Sequence, residues 1–195
     1  MPQGGLGLRT SQTPDGVLHS AAPGLQEMDA RNGDETKAVD GQTKAIIGSE
    51  YPQAVCELLR RAKWSIDICA YVWKWYAHRG GCAMQKINYA VIEKARNGVK
   101  IRVRLNSESK DHYLTKENTR TSQALRRYPI QVKFDSSGTV SHLKMIIIDN
   151  EIVIIGSHNL SARSVSENNE ASVAIFGAAA CKPYKEYFDL LWTNQ

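Results

Sequence analysis

One stretch of the chain, residues 142–170, has a pattern that permits few local structures. Its run at 145–148 is apolar at every position, which predicts a strand covered on both faces of a sheet. Asp149-Asn150 is a favourable turn pair, and residues 151–155 predict the returning strand of a hairpin. The sequence therefore predicts a hairpin that lies in the interior of a sheet.

Polar side chains flank the apolar runs of this hairpin. His142 and Lys144 lie two residues apart at its start, and they share one face because side chains alternate along a strand. Ser157 and Asn159 are also two residues apart, where the second strand ends. Glu170 follows after a polar connector. A histidine and a lysine thus leave one strand, and a hydroxyl and an amide leave the adjoining strand near its end.

These residue types suit the chemistry of an anionic oxygen cluster such as a phosphate. A histidine can act as a nucleophile or as an acid and base near neutral pH. Lysine, asparagine and serine supply hydrogen-bond donors, and a carboxylate such as Glu170 can hold one ring nitrogen of His142. No second His, Cys or carboxylate stands at metal-ligand spacing in this stretch, so the positive charge is expected from Lys144, and neither a metal nor another cofactor is expected.

The spacing H-x-K-x4-D-x6-G-S-x-N resembles, without a gap, the HKD signature of the phospholipase D superfamily. The matching residues are His142, Lys144, Asp149, Gly156, Ser157 and Asn159. Glu170 stands where the nuclease branch of that superfamily carries the glutamate that orients its histidine. The resemblance covers about residues 46–195 and is to the small, single-motif nucleases.

The resemblance implies an α/β fold with a mixed, largely parallel β-sheet flanked by helices on both faces. The helical pattern at 82–97 stands between predicted strands at 65–72 and 99–105, which predicts a βαβ unit with parallel pairing. The catalytic domain is expected to span residues 46–195. Residues 1–45 are rich in Gly, Pro, Ser and Asp, which predicts a flexible N-terminal tail, with a docking arm for a partner as the alternative.

The resemblance also implies that a phosphodiester is hydrolysed in two steps. His142 attacks phosphorus and forms a phosphohistidine, while another histidine protonates the leaving oxygen and then activates water. An in-line displacement puts the entering and leaving groups on opposite sides of phosphorus. Since one imidazole cannot stand on both sides and the chain has one motif, we expect a homodimer with a shared active site.

Each residue of the signature then has an expected role. Lys144 and Asn159 would hold the non-bridging oxygens, with Ser157 supporting this cradle and Glu170 orienting His142. Asp149 belongs to the catalytic set of the signature, but its strand parity differs from that of His142, which favours a structural or supporting role.

An aromatic and basic segment follows the predicted strand at 65–72. In one interpretation Trp73, Trp75 or Tyr76 stacks on bases or walls the phosphate site, while Lys74 and Arg79 contact the substrate backbone. In the other, these aromatic residues pack at the rim of the sheet or across a subunit interface.

The net charge of +5 is unevenly distributed. Residues 46–195 hold 21 lysines and arginines against 14 aspartates and glutamates, whereas residues 1–45 are acidic. A basic domain favours polyanions, so a nucleic acid is the expected substrate. Three alternatives stay open: hydrolysis of anionic phospholipids, binding of nucleic acid without catalysis, and a basic protein with no polyanionic partner.

Targeting features point to a cytoplasmic setting. The N-terminus lacks the apolar segment of a secretory signal, and no apolar run approaches the length of a membrane span. The four cysteines are scattered, without the spacing of a zinc site, which fits a reducing compartment.

Overall fold

The structure is a computed structural model, and it describes residues 41–76, 81–109, 112–135 and 140–194. The predicted flexible tail therefore lies outside the described residues as far as position 40. Within the described ranges, helices and strands follow one another in the order β1 (Thr43–Ile47), α1 (Tyr51–Arg61), β2 (Ser65–Ala70), α2 (Ala83–Arg96), β3 (Lys100–Leu105), α3 (Tyr113–Leu125), β4 (Ile130–Phe134), β5 (Lys144–Ile148), β6 (Ile152–Gly156), α4 (Ala162–Ser166), β7 (Ala171–Phe176) and α5 (Ala178–Thr193).

The described strands form one seven-stranded sheet in the order β1-β7-β6-β5-β2-β3-β4. The prediction of a mixed α/β sheet is confirmed, as is the parallel pairing of β2 with β3 across helix α2. The expectation that the sheet is largely parallel needs correction. Only β2–β3 and β3–β4 are parallel among the described pairs, and the other four pairs are antiparallel. Helices connect the parallel strands, whereas the β5–β6 hairpin closes through a tight turn.

Helices cover both faces of the sheet, as predicted. On one face, Ile66 and Ile68 of β2 belong to a buried cluster with residues of α1 and α2 and with Leu125 of α3. On the other face, Met145 and Ile147 of β5 pack with Phe188 of α5. The strands β2 and β5 are therefore buried on both sides, which explains why the sequence of β5 is apolar at every position after Lys144.

The tight hairpin turn has positive φ angles at both central residues, 53° for Asp149 and 58° for Asn150. Such angles fit a type I′ turn, whose twist matches that of the two strands. Both oxygens of the Asp149 side chain accept backbone hydrogen bonds, from Lys63, Trp64 and Ser65, each at 2.7 Å. The turn is thereby tied to the start of β2.

The register brings the polar residues of the motif to one end of the sheet. Ala70 at the end of β2 pairs with Lys144 at the start of β5. Gly156 at the end of β6 pairs with Ser172 near the start of β7. We call this end of the sheet the Lys144 end. A Cβ added at Gly156 would lie 2.3 Å from Ser172 Oγ and 2.4 Å from the carbonyl oxygen of Ala171, so glycine is required where β6 and β7 approach most closely.

Candidate active site

His142 lies just before β5 with its side chain exposed at the Lys144 end. Its ring meets the ring of Tyr71 edge to face, with centroids 4.4 Å apart and an interplanar angle of 61°. Tyr71 follows β2, and its N–H donates to the carbonyl of Leu143 at 2.8 Å. The imidazole is therefore accessible to a ligand while one side of it rests on an aromatic ring.

The ammonium group of Lys144 stands beside His142. Its Nζ donates to the carbonyl oxygen of His142 at 2.8 Å and lies 4.8 Å from the centroid of the Tyr71 ring. Burial lowers the pKa of Lys144, and the nearby charge of Glu170 acts in the opposite direction. Tyr71 thus contacts both residues that open the motif.

Glu170 is held by three donors. The hydroxyl of Ser157 donates to Oε2 at 2.5 Å, that of Ser164 donates to Oε1 at 2.8 Å, and Nδ2 of Asn168 donates to Oε1 at 3.2 Å. Burial raises the pKa of Glu170, but the hydrogen bonds from these donors outweigh burial and bring the pKa below its ordinary value. His142 is not among the donors to Glu170 in the described part of the chain, so the expectation that Glu170 orients this ring stays a prediction.

Asn159 and Glu170 are joined through Ser164, a residue that sequence reasoning missed. Ser164 is buried, and its Oγ accepts the N–H of Asn159 at 2.8 Å while donating to Glu170. Its own N–H is held by the Oγ of Ser161, which caps α4, at 3.4 Å. The contact of Ser164 with Glu170 depends on tertiary structure, so no local pattern indicated it.

The side chain of Asn159 retains hydrogen-bonding capacity. Its Oδ1 is buried and has no hydrogen-bond partner among the described residues. Because Oδ1 only accepts hydrogen bonds, a contact of this side chain with an anionic oxygen would be made by its Nδ2 group.

His158 has the contacts of a residue with a structural role. It is buried and stacks on Tyr51 at 4.2 Å between ring centroids. Its Nδ1 lies 2.8 Å from Ser172 Oγ, and its Nε2 lies 3.0 Å from the carbonyl oxygen of Gly48. Burial lowers the pKa of His158, against the Gly48 hydrogen bond and the charge of Glu170, which raise it. With both ring nitrogens engaged, this histidine positions the residues that follow β6.

Asp149 does not lie with the rest of the motif, and its position favours the structural role over a place in the catalytic set. It sits in the β5–β6 turn, at the end of β5 opposite Lys144. Its two carboxylate oxygens are occupied by the three backbone N–H groups that precede and begin β2. The strand parity of Asp149 indicated the same structural role.

Trp73 cannot stack on a base, because its side chain is completely buried. Its indole Nε1 donates to Asn88 Oδ1 and its backbone N–H donates to Asn118 Oδ1, both at 2.9 Å. Trp75 and Tyr76 are partly buried and pack against the same core. Trp73 therefore supports the interpretation in which the aromatic residues of this segment pack within the protein. Residues 77–80, including Arg79, lie outside the described residues.

Two further properties concern only the described ranges. No three side chains of His, Cys, Asp or Glu come together there as a group that could hold a metal ion. Every helix found there is too short or too polar to cross a membrane.

Comparison with known proteins identifies relatives over most of this domain. Residues 55–192 match the model of a family described as cardiolipin synthase, PLD-like domain. A phospholipase D of Rickettsia bellii is 30% identical over 109 residues, which are 56% of this chain and 52% of that protein. A mitochondrial cardiolipin hydrolase of Xenopus tropicalis is 24% identical over 135 residues, which are 69% of this chain and 58% of that protein. The chain therefore spans little more than half the length of these two relatives.

A solved structure shares the fold. Nuc of Salmonella typhimurium, a member of the phospholipase D family, aligns with a TM-score of 0.64 over 77% of this chain and 95% of its own. The sequence identity is 20%, so this likeness establishes the fold alone. The expected phospholipase D-like fold is confirmed.

Proposed function

Because this chain belongs to the phospholipase D-like family, we propose that it hydrolyses phosphodiester bonds and that its substrate is DNA, RNA or both. The observation that supports this proposal most is the gathering of the motif residues at the Lys144 end of the sheet. The residues of this candidate catalytic site are His142, Lys144, Ser157, Asn159 and Glu170.

The proposed reaction has two steps. The His142 imidazole attacks phosphorus, a phosphorus–nitrogen bond forms, and the bond to the leaving oxygen breaks as a second histidine gives that oxygen its proton. The second histidine then takes a proton from water. That water attacks phosphorus, the phosphorus–nitrogen bond breaks, and His142 is regenerated. Lys144 and Asn159 stabilise the charge on the non-bridging oxygens, so the proposed mechanism routes no step through a metal ion.

The second histidine is proposed to be the same residue of a second copy of the chain. The entering and leaving groups stand on opposite sides of phosphorus, and the chain has a single motif. Glu170 supports this arrangement, because its described hydrogen bonds are to Ser157, Ser164 and Asn168 rather than to His142 of its own chain. In a dimer with a shared site, Glu170 of one copy would orient the histidine of the other.

The basic composition of residues 46–195 supports a nucleic acid as the substrate. A specific observation favours an alternative, since two relatives are a phospholipase D and a mitochondrial cardiolipin hydrolase. Hydrolysis of an anionic phospholipid is therefore the second candidate function. Binding of nucleic acid without hydrolysis is the third.

One experiment separates these candidates. The protein and its His142→Asn variant are incubated with plasmid DNA, single-stranded RNA, and vesicles that contain cardiolipin, each with and without EDTA. We expect the unsubstituted protein to cleave a nucleic acid in both conditions and the variant to cleave nothing. Cleavage of lipid alone would favour the second candidate, and binding without turnover the third. Turnover that disappears with EDTA would contradict the proposed mechanism.

A further inference from the structure

The rim of the candidate site carries a lysine next to a residue that is proposed to hold phosphate. The backbone N–H of Lys74 donates to the carbonyl of Leu160 at 2.8 Å, and Leu160 directly follows Asn159. The side chain of Lys74 reaches helix α3, where its Nζ lies 4.8 Å from the centroid of the Tyr113 ring. Hydrogen bonding with Tyr113 raises the pKa of Lys74, and burial acts in the opposite direction.

Tyr113 presents an exposed aromatic ring at this end of the molecule. It is the first residue of α3, and 52% of it is exposed. Three other aromatic residues in the described ranges are strongly exposed, and they lie elsewhere: Trp64 precedes β2 at the Asp149 end of the sheet, Tyr89 lies on α2, and Tyr187 lies on α5.

Helix α3 is fixed firmly to the candidate site. Nδ2 of Asn118 donates to the carbonyls of Tyr71 and Asn106, both at 2.9 Å. Tyr71 is the residue whose ring contacts His142 and Lys144. The N–H of Glu108 donates to Thr115 Oγ1 at 2.9 Å and holds the first turn of the helix to the loop after β3. Tyr113 thus begins a helix that is tied by a hydrogen bond to Tyr71, the residue that contacts the start of the motif.

We propose that Tyr113 and Lys74 form a substrate subsite in which a nucleobase next to the scissile phosphate stacks on the tyrosine ring and the lysine neutralises the neighbouring phosphate. This inference rests on the proposed nuclease function. An aromatic ring stacks on any base, whereas a phospholipid head group such as glycerol offers no aromatic face. A base must leave its duplex neighbours to stack on protein, so the subsite selects single-stranded DNA or RNA over a duplex.

The test compares an intact single-stranded oligonucleotide with an abasic one of the same length. Tyr113→Leu removes the ring but keeps an apolar side chain, and Tyr113→Phe keeps the ring. We expect Tyr113→Leu to raise KM for the intact oligonucleotide about tenfold and to leave KM for the abasic one unchanged, with Tyr113→Phe close to the unsubstituted protein. Lys74→Gln should raise KM for both substrates and weaken the dependence on salt. Tyr89→Leu, at a site on α2 that is somewhat more exposed than Tyr113, is the matched control and should change neither KM.

The outcomes distinguish the subsite from the function on which it rests. An equal effect of Tyr113→Leu on both oligonucleotides, or no effect on either, would overturn the subsite while the nuclease function stands. Preference of the unsubstituted protein for a duplex would do the same. Absence of turnover on every nucleic acid by the unsubstituted protein would overturn the proposed function, and the subsite with it.

Discussion

The pKa of Glu170 depends on the hydrogen-bond donors that surround its carboxylate. Burial raises its pKa, and the hydroxyls of Ser157 and Ser164 with the amide of Asn168 reverse that effect. Because the pKa in the folded protein lies below the unfolded value of about 4.3, Glu170 contributes stability that is present above that pH and is lost as pH falls through the lower, folded value.

Replacing Ser164 with alanine is expected to shift the activity of the protein toward higher pH on the acid side. The substitution removes one donor to Glu170, so the pKa of that carboxylate rises and it becomes protonated at a higher pH than before. The measurement is the pH dependence of kcat/KM on a single-stranded oligonucleotide. Ser166→Ala, an exposed position of α4, is the control. An unshifted acid limb together with lower thermal stability would mean that Ser164 has only a structural role.

Tyr71 is expected to contribute to kcat through its ring rather than through its hydroxyl. The ring lies against His142 and under the ammonium of Lys144, and a cation–π contact contributes roughly 0.5–2 kcal/mol. Tyr71→Leu should therefore lower kcat about tenfold, whereas Tyr71→Phe should retain most of it. The measurement is kcat for folded variants matched by circular dichroism. Equal losses in the two variants would assign the effect to the hydroxyl.

At the scale of single residues, the sequence predicted which side chains share a face of a strand, because local spacing determines this. Strand parity placed His142 with Lys144, and the same spacing placed Ser157 with Asn159. The contacts of Ser164 and Tyr71 arise from segments far apart in the chain, so no local pattern indicated them. The choice between stacking and packing for Trp73 could not be made from sequence for the same reason, since the partner of its indole is Asn88 on α2.

At the scale of elements, the β5–β6 hairpin is organised by its turn. Asp149 adopts a positive φ and anchors three backbone N–H groups from the segment that leads into β2. The sequence indicated the turn, because Asp-Asn pairs tolerate positive φ. It did not indicate where the carboxylate points, since its partners lie more than eighty positions earlier in the chain.

Asp149→Ala is expected to lower the free energy of unfolding by about 2 kcal/mol, the contribution of hydrogen bonds to a charged group. Activity per folded molecule should be retained, because Asp149 is remote from the Lys144 end of the sheet. Urea denaturation and kcat measured on the same preparation check both statements. Asn150→Gly, which preserves a turn with positive φ, is the control and should leave stability nearly unchanged. Lost activity with unchanged stability would return Asp149 to the catalytic set.

Buried charges on the α5 face show a second limit of prediction from sequence. Alternation along a strand places Arg102 and Arg104 of β3 on one face of the sheet, and charges on a face covered by a helix need partners. Arg102 is paired with Asp67 of β2 at 2.7 Å and with Asp189 of α5 at 2.8 Å, and Arg104 is paired with Asp135. The need for partners followed from the strand pattern, but their identities required the strand order and the position of α5.

At the scale of the whole molecule, the hairpin and the βαβ unit followed from the sequence, whereas the balance of parallel and antiparallel pairs did not. The pairing of β2 with β5, and of β7 with β1, joins distant segments that carry no local signal of direction. These pairings nevertheless create the candidate site, because they bring the ends of β2, β5, β6 and β7 together.

The central claim is that two copies of His142, one from each chain of a dimer, act on a single phosphorus atom. The most direct measurement uses dimers in which one chain carries His142→Asn and the two chains carry different affinity tags, isolated in tandem and assayed on a single-stranded oligonucleotide. We expect such mixed dimers to lose activity at least about a hundredfold, because one of the two histidine roles is missing. Mixed dimers that retain half the activity of the unsubstituted dimer would show that each chain works alone and would contradict the claim.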